Sequence, residues 1–332
     1  MTGFRLDAQD EYPHRPDGSA HFNESVFLGT ASFEVAVGGW MRLGNRVGEG
    51  HAELSVCLYL PDGRIACQFA RPPIASNDRF DAGGLRYEVR EPLRCVRMCY
   101  DGELMLLDDP AQLRDPKSLA TVPRAAASVA WTLQSISPVH GGEPTSPDVP
   151  TLYGRDFSLG HFNQHGTIDG DIRIGDQHWT IHGGGWRDHS WGPRIGQNLS
   201  YHRLFTATFP DGRGFMLLKI GGDALRARRL GVLLHDGRYE EIVDLDIATD
   251  WSESQEPRRV DIVARTSRRA ARIAANIITV APLRHRRQVE GTSLVLRIAE
   301  SFTRFTWDGI SAYGMSEYSD RISDGRMLGY PL

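Results

Sequence analysis

The segment 183–194, Gly-Gly-Gly-Trp-Arg-Asp-His-Ser-Trp-Gly-Pro-Arg, holds the densest set of side chains in this chain that could do chemistry. Three glycines allow a sharp turn or a close approach of the backbone to another surface. If the segment is extended, alternate side chains point to opposite faces. The two trios would then be Trp186, Asp188 and Ser190 on one face and Arg187, His189 and Trp191 on the other. One trio could line a cavity while the other supports it.

Asp188 is the candidate general acid of this segment. Burial in apolar surroundings disfavours a charged carboxylate, so a buried aspartate can remain protonated and donate its proton to an alkene. Trp186 is a second candidate catalytic residue, because an indole face stabilises a carbocation by about 0.5–2 kcal/mol. His189 could relay the proton or orient Asp188. The alternative is that Asp188, beside Arg187 and with Arg194 close by, forms an ion pair that holds the turn and lowers the pKa of Asp188.

Histidines cluster around the segment, which raises the question of a metal site. Two pairs share a parity, His161 with His165 and His178 with His182. Zinc or iron would accept such ligands, but each pair is spread along one strand and no glutamate stands in a ligand motif. The sequence also lacks a Gly-x-Gly-x-x-Gly pattern, a P-loop and a Gly-x-Ser-x-Gly pattern. We therefore predict neither a metal nor another cofactor.

Composition narrows the class of protein. The formal net charge of −4 argues against a nucleic-acid-binding protein, which would be strongly basic. No run is long and apolar enough for a membrane-spanning helix, and no targeting signal is visible in the first 25 residues. The four cysteines lack a Cys-x-x-Cys spacing and are expected to be buried free thiols. We therefore expect a cytoplasmic protein.

Short apolar runs separated by turn signals recur along the chain and predict an all-β fold, a sandwich or a barrel. Hairpin turns are expected at Pro61-Asp62-Gly63, Asp101-Gly102, Pro210-Asp211-Gly212, Asp236-Gly237 and Asp308-Gly309. Only 267–280 is ambiguous between helix and strand, and its β-branched second half favours strand.

The domain organisation follows from one segment rich in proline and glycine. Residues 137–150 contain four prolines and two glycines, which favours a linker. We therefore expect an irregular arm at 1–24, a first β domain at 25–150 and a second at 151–332 that carries the 183–194 motif.

The motif and its surroundings resemble a two-domain lipocalin-like family. This family includes carotenoid 1,2-hydratases, AttH-type proteins, kievitone-hydratase-like enzymes and decalin-forming Diels–Alderases. The 183–194 block is similar to the family's Gly-x-Gly-aromatic-x-Asp-His-(Asn/Ser)-Trp-Gly, and 161–170 is similar to the segment that opens its second domain. Weaker similarities are Glu91-Pro92, 97–102 and 314–318.

The resemblance implies two antiparallel lipocalin-like β-barrel domains in close contact, with an apolar cavity. It also implies a hydrophobic, isoprenoid- or polyketide-like substrate. Asp188 matches the carboxylate that protonates the alkene in the hydratases. Trp186 stands where those enzymes have tyrosine, and Ser190 where they have asparagine. The residues expected to contact the substrate are His161, Gln164, His182, Trp191 and Arg187.

Two functions are compatible with this sequence. The first is a cofactor-independent hydratase, dehydratase or cyclase that uses acid catalysis in an apolar cavity. The second is a non-catalytic carrier of a hydrophobic ligand, since lipocalin-like barrels hold such molecules. The expected partner in both cases is a hydrophobic small molecule, and a homodimer is compatible with the sequence. An enzyme requires Asp188 to point into the cavity, whereas a carrier does not.

Overall fold

The computed structural model describes residues 3–115, 117–149, 158–194, 199–222, 225–289 and 292–332, and within them the chain is nearly all antiparallel strand. The strands are β1 (Phe4–Arg5), β2 (Phe22–Ser32), β3 (Gly38–Arg46), β4 (His51–Tyr59), β5 (Ile65–Ala70), β6 (Asp81–Ala82), β7 (Leu85–Glu91), β8 (Cys95–Leu107), β9 (Arg124–Ser135), β10 (His140–Pro144), β11 (Gly160–Ile174), β12 (Gln177–Pro193), β13 (Tyr201–Thr208), β14 (Gly214–Gly222), β15 (Leu225–His235), β16 (Arg238–Trp251), β17 (Pro257–Thr266), β18 (Ala270–Val289), β19 (Thr292–Trp307), β20 (Ile310–Ser323) and β21 (Arg326–Met327). Short 3-10 helices lie at Ala8–Glu11, Val47–Glu49, Pro110–Arg114 and Ser118–Thr121.

The first barrel contains the motif strand β12. Its strands follow the order β9-β11-β12-β2-β3-β4-β5-β8, and β9 closes the ring because it pairs with both β11 and β8. Alternate residues along these strands point into the barrel, where large apolar side chains such as Leu28, Met41 and Trp131 are completely buried. The burial of this apolar face holds the strands in register.

The second barrel runs from β13 to β20 in sequence order, and pairing between β13 and β20 closes it. Aromatic rings fill its interior, with Phe215 meeting Phe305 edge to face at 5.1 Å between centroids. The predicted all-β fold with two antiparallel barrels is therefore confirmed.

Most of the predicted hairpin turns are confirmed. Gly63, Gly212, Gly237 and Gly309 all have positive φ in turns between consecutive strands, which glycine adopts without strain. Residues 270–280, in the ambiguous segment, belong to strand β18, as the β-branched residues predicted.

The hairpin predicted at Asp101-Gly102 is wrong. Both residues lie inside the continuous strand β8 and pair with Ser128 and Ala127 of β9. A Cβ atom on Gly102 would lie 2.5 Å from the hydroxyl of Tyr100. The glycine therefore leaves room for the Tyr100 phenol, whose hydroxyl donates to the Glu103 carbonyl oxygen at 2.9 Å, and does not form a turn.

The proline- and glycine-rich segment forms part of the first barrel's sheet instead of a free linker. Its residues 140–144 form β10, which pairs with β11 and β1. Gly141 has a φ of +105°, and a Cβ there would lie 2.3 Å from the carbonyl oxygen of His161. The glycines thus permit close strand pairing, and the predicted boundary at 150/151 falls outside the described residues.

The chain forms two compact units whose bounds differ from those of the predicted domains. One unit consists of Met1–Leu58, Ala66–Leu106 and Pro123–Gly196, and the other of Tyr59–Ile65, Leu107–Val122 and Gln197–Leu332. The 183–194 motif therefore belongs to the first unit, not the second. The reason is pairing, since β12 hydrogen-bonds to β2 and β11 to β9.

The cysteines partly follow expectation. Cys57 and Cys67 are buried, Cys95 and Cys99 are half-buried, and none of the four forms a disulfide bond within the described residues. Burial raises the pKa of the Cys67 thiol to about 12, which makes it a poor nucleophile. In the part of the chain that the structure describes, no helix has the length and apolar character needed to cross a membrane.

Candidate functional site

The motif strand β12 presents its side chains alternately to two faces of the first barrel. Arg187 and His189 point to the inner face, in register with Leu28 and Val26 of the apolar core. Asp188 and its alternate neighbours point to the outer face, so Asp188 does not line the interior of this barrel, and any acid chemistry of Asp188 belongs to the outer face. The separation into two trios that the sequence predicts is confirmed, and consecutive motif residues therefore act in different environments.

Three strands bring partners to Asp188 on the outer face. Residues opposite each other in register share a face, so Asn163 of β11, Phe27 of β2 and Arg42 of β3 form one row with Asp188. The neighbouring rows complete a surface that we call the Asp188 face. Its members are His161, Asn163, Trp186, Asp188, Ser190, Ser25, Phe27, Trp40 and Arg42. The Asp188, Phe27 and Arg42 side chains are half-buried, whereas the others are buried.

An aromatic strip lies beside Asp188 on this face. The Phe27 ring meets Trp186 edge-on at 5.5 Å and stacks on Trp40 at 5.9 Å between centroids. Gly29 permits this arrangement, because a Cβ there would lie 3.1 Å from Phe27 Cε1. The strip gives a half-buried carboxyl an apolar border on one side.

Polar and ionisable side chains also lie near Asp188. His161 Nε2 lies 3.8 Å from Asp188 Oδ2. Arg194 donates to Ser190 Oγ at 2.9 Å, and burial together with the charges of Arg42 and Arg46 lowers the pKa of Arg194 to about 9. Arg187, the first arginine of the alternative ion pair, does not contact Asp188, because Arg187 points to the opposite face. Arg194, the second, lies close enough for the charge of Asp188 to oppose the lowering of the Arg194 pKa.

Arg187 instead belongs to a buried network that anchors the N-terminal arm. Its guanidinium donates to both carboxylate oxygens of Glu11, at 2.6 and 2.9 Å, to Tyr87 Oη at 2.9 Å and to Gln164 Oε1 at 2.7 Å. Burial opposes charge on Glu11, but Arg187 holds the pKa of that carboxyl below its usual value. Arg187 and Gln164, predicted as substrate contacts, are therefore committed to a protein-internal network.

His189 is likewise committed to the inner face. Its Nε2 lies 2.8 Å from Glu24 Oε1, and His14 Nδ1 lies 2.6 Å from the same oxygen. Although burial opposes ionisation, these hydrogen bonds lower the pKa of Glu24 to about 2. The prediction that His189 orients or tunes Asp188 is therefore wrong, since its hydrogen bond goes to Glu24 on the far side of the sheet.

His14, Glu24 and His189 are also the residues that could hold a metal ion. Their three ligand atoms lie within 4.8 Å of one another, and two imidazoles with one carboxylate suit zinc or ferrous iron. The paired histidines of the sequence do not form such a group within the described residues: His178 bonds Asp171, and His182 bonds Asp169.

Two other predicted substrate contacts lie away from the Asp188 face. Trp191, on the inner face, stacks on His14 at 4.0 Å between centroids and donates to Glu143 at 3.0 Å. His182 sits far along β12, and its side chain is 63% exposed beside Asp169. Of the predicted site residues, the structure brings together Asp188, Trp186 and His161.

Sequence reasoning missed Phe27, Trp40 and Arg42 on the Asp188 face and Glu11 and Glu24 behind it. The sequence contains one signal for two of these residues. Strand alternation places Trp40 and Arg42 on the same face of β3. The pairing of β2 with β12 joins segments more than 150 residues apart, and no local pattern encodes such a contact.

Solved structures share this fold over nearly the whole chain. An AttH protein from Nitrosomonas europaea aligns with a TM-score of 0.60 and 12% identity, covering 98% of this chain and 97% of that one. CghA in complex with Sch210972 aligns with a TM-score of 0.55 and 10% identity, covering 98% and 96%. Kievitone hydratase from Nectria haematococca aligns with a TM-score of 0.52 and 9% identity, covering 95% and 93%.

These similarities establish the fold, and two of the neighbours carry the names of groups that the sequence resembles. The expected resemblance is therefore confirmed. No curated protein sequence matches the chain. The family described as "Domain of unknown function (DUF7064)" matches residues 7–322, and the chain belongs to this family.

Proposed function

We propose that this protein is a cofactor-independent hydratase or cyclase that acts on a hydrophobic unsaturated small molecule by acid catalysis. The observation that carries the proposal is the half-buried Asp188 carboxyl beside the aromatic strip of Phe27, Trp40 and Trp186. A proton donor next to π-faces is what protonation of an alkene requires.

Asp188 supplies the proton in this mechanism. Its O–H bond breaks as a C–H bond forms on the alkene, and the cationic carbon faces the rings of Phe27 and Trp186. In a hydration, water adds to that carbon and releases a proton that restores the acid. In a cyclisation, a second alkene of the same molecule attacks the cation, and loss of a proton from carbon restores the acid. His161, 3.8 Å from the carboxyl, positions Asp188.

The fold neighbours support this class of reaction. One is named a hydratase, and another holds the small molecule Sch210972. The second candidate function, a carrier of a hydrophobic ligand, is supported by the aromatic strip alone, because binding needs no acid. Cytoplasmic location and a homodimer remain predictions.

Replacement of Asp188 separates the two functions. Asp188→Asn keeps the shape of the side chain and removes the acidic proton, so turnover should fall at least about 100-fold while ligand binding changes little. The matched control is Asp169→Asn, on the neighbouring strand but 77% exposed. Turnover is measured by liquid chromatography and mass spectrometry on a panel of hydrophobic polyenes. Reactions run in ¹⁸O-labelled water detect hydration, and reactions run in D₂O detect the deuteron that a proton-initiated cyclisation adds to carbon.

The outcomes are distinct. Loss of turnover in Asp188→Asn, but not in Asp169→Asn, supports acid catalysis at this position. Equal turnover in Asp188→Asn and the wild type contradicts the assignment. Ligand binding by a wild type that transforms no member of the panel favours the carrier.

A further inference from the structure

The wall of the second barrel is open along part of the boundary between β15 and β16. Among the described residues these strands pair only over Val232–His235 and Arg238–Glu241, next to their hairpin turn. Farther from the turn, β15 pairs with β14 and β16 pairs with β17. Gly231 of β15 has a φ of +143°, and a bulge interrupts β16 at Val243. Because a bulge bends its strand, the two strands separate at this point.

The inward-facing side chains of this barrel differ between its two ends. Near the β15–β16 turn, Leu217 and Leu233 are completely buried. At the end where the strands separate, hydrophobic side chains that pack against the same core remain only partly buried. We call them the half-buried apolar patch, and they are Ile247, Trp251, Ile277 and Val280. Solvent therefore reaches the inner face of the barrel at this end.

Three cations stand opposite one another on the inner face of the same end. Lys219 of β14 is in register with Arg203 of β13 and with Arg229 of β15. Like charges directly opposite each other destabilise a sheet. Both arginines have an acidic neighbour: Arg203 donates to Asp320 at 3.0 and 3.1 Å, and Arg229 lies 3.6 Å from Asp244.

Lys219 is the cation of this row that lacks such a neighbour. Among the described residues it forms no hydrogen bond or ion pair. Burial and the positive charges of Arg229 and Arg203 lower the pKa of Lys219, and the charge of Asp246 opposes this lowering. Lys219 is half-buried and the Arg229 side chain is 47% exposed, so a bound molecule can reach both groups.

We propose that the opened end of the second barrel binds an organic carboxylate, whose oxygens accept from Lys219 and Arg229 and whose apolar body lies on the half-buried apolar patch. One cation without a partner calls for one negative charge. A carboxylate carries one charge, whereas a phosphate monoester carries almost two at neutral pH. The site belongs to the second unit, and it does not depend on the chemistry proposed for Asp188 in the first.

Two physical terms favour this ligand over a neutral one. A hydrogen bond in which both partners are charged is about twice as strong as a neutral one, and Lys219 gains such a bond when a carboxylate binds. The apolar body of the ligand removes the half-buried apolar patch from water. A ligand needs both parts, because a small anion leaves the patch exposed and a neutral chain leaves Lys219 without a partner.

A matched pair of probes tests the need for charge. Octanoate and octan-1-ol share an alkyl chain and differ in the head group. We expect octanoate to bind the full-length protein at least about 10-fold more tightly in isothermal titration calorimetry, the low end for a hydrogen bond to a charged group. Octyl phosphate at pH 8 should bind more weakly than octanoate, and acetate, which lacks the chain, should bind more weakly still.

Lys219→Met removes the charge and keeps an unbranched side chain. It should weaken octanoate binding at least about 10-fold and leave octan-1-ol binding unchanged. The matched control is Lys117→Met, because Lys117 is the other lysine of the chain and is exposed. This control should keep the full preference for octanoate. Since Lys219→Met removes one of three opposed like charges, the Tm of the variant should not fall.

A second measurement uses the wild type alone. With two lysines in the chain, ¹³C labelling of lysine gives two side-chain signals, which the two methionine variants assign. A bound anion favours the charged form of a neighbouring amine. Octanoate should therefore raise the pKa of Lys219, followed by the ¹³Cε shift against pH, and leave that of Lys117 unchanged.

The outcomes separate this inference from the proposed function. Equal binding of octanoate and octan-1-ol by the wild type overturns the inference, and so does a preference that persists in Lys219→Met. Tighter binding of octyl phosphate than of octanoate contradicts the carboxylate assignment. These results do not bear on whether Asp188→Asn loses turnover, and normal turnover in Asp188→Asn does not bear on the binding of octanoate.

Discussion

Glu11 and Arg187, 176 positions apart in the sequence, form a two-point ion pair in which both side chains are essentially without solvent exposure. Removal of one partner of a buried pair leaves an uncompensated charge. The pair joins the N-terminal arm to the motif strand, so the arm is a structural part of the first barrel rather than an irregular extension.

We therefore expect Glu11→Ala to lower the free energy of unfolding by about 3–5 kcal/mol, measured by urea denaturation. Glu91→Ala is the control, because Glu91 pairs with Arg94 on the surface and is 50% exposed. Its effect should stay within about 1 kcal/mol. Equal losses in the two variants would contradict a special role for the buried pair.

The His14–Glu24 contact predicts a pH dependence of stability. Burial opposes the imidazolium, but hydrogen bonds to Glu24 and Asp10 raise the pKa of His14 above its usual 6.5. The contribution of His14 is therefore complete below pH 6.5 and is lost as the pH rises through the higher folded-state value. The contribution of Glu24 is complete above its usual pKa of 4.5 and is lost only as the pH falls towards about 2.

The stability that this contact contributes should thus be greatest between pH 4.5 and pH 6.5. In wild type, the urea midpoint should fall as the pH rises above 6.5, and His14→Gln should remove this part of the pH dependence. His189 Nε2 also lies 2.8 Å from Glu24 Oε1. His189→Gln is therefore the comparison variant, because it removes the second imidazole beside Glu24 and keeps His14. An unchanged pH profile in His14→Gln would show that the imidazole carries no charge in the folded protein.

The aromatic strip predicts a kinetic effect at Phe27. Phe27→Leu keeps an apolar side chain but removes the π-face beside Asp188, so kcat should fall about 2- to 30-fold, the range for loss of one cation–π contact. Phe33→Leu, whose ring contacts His182 instead, should keep full activity. Normal kcat in Phe27→Leu, combined with loss of turnover in Asp188→Asn, would mean that the cation faces another group.

The His14, Glu24 and His189 cluster predicts the outcome of a metal analysis. Glu24 Oε1 already accepts from both imidazoles, and His14 Nε2 lies 3.3 Å from Asp10 Oδ1. Because hydrogen bonds use these ligand atoms, we expect mass spectrometry of the purified protein to find no stoichiometric zinc or iron. Chelator treatment should leave the Tm unchanged. Near-stoichiometric metal that is lost together with stability would show a metal centre at these residues.

The sequence determined the local features of this protein. Alternation along 186–191 predicted that Asp188 and Arg187 face opposite sides of a strand, and Asp-Gly turns predicted most of the hairpins. These predictions depend only on the period of a strand and the conformational freedom of glycine, which act between near neighbours. One of them failed at Gly102, which lies inside β8 and pairs with Ala127 of the distant strand β9.

Only the tertiary structure decided which strands pair and which side of each strand faces the barrel core. The placement of Phe27 and Trp40 beside Asp188, and of Glu24 beside His189, follows from the pairing of β2 with β12. The same pairing moved the motif into the first unit, whereas pairing with β11 and β1 made a strand of residues 140–144 in the predicted linker. Pairing of distant strands is set by the burial of one whole apolar face of the barrel, which no short stretch of sequence specifies.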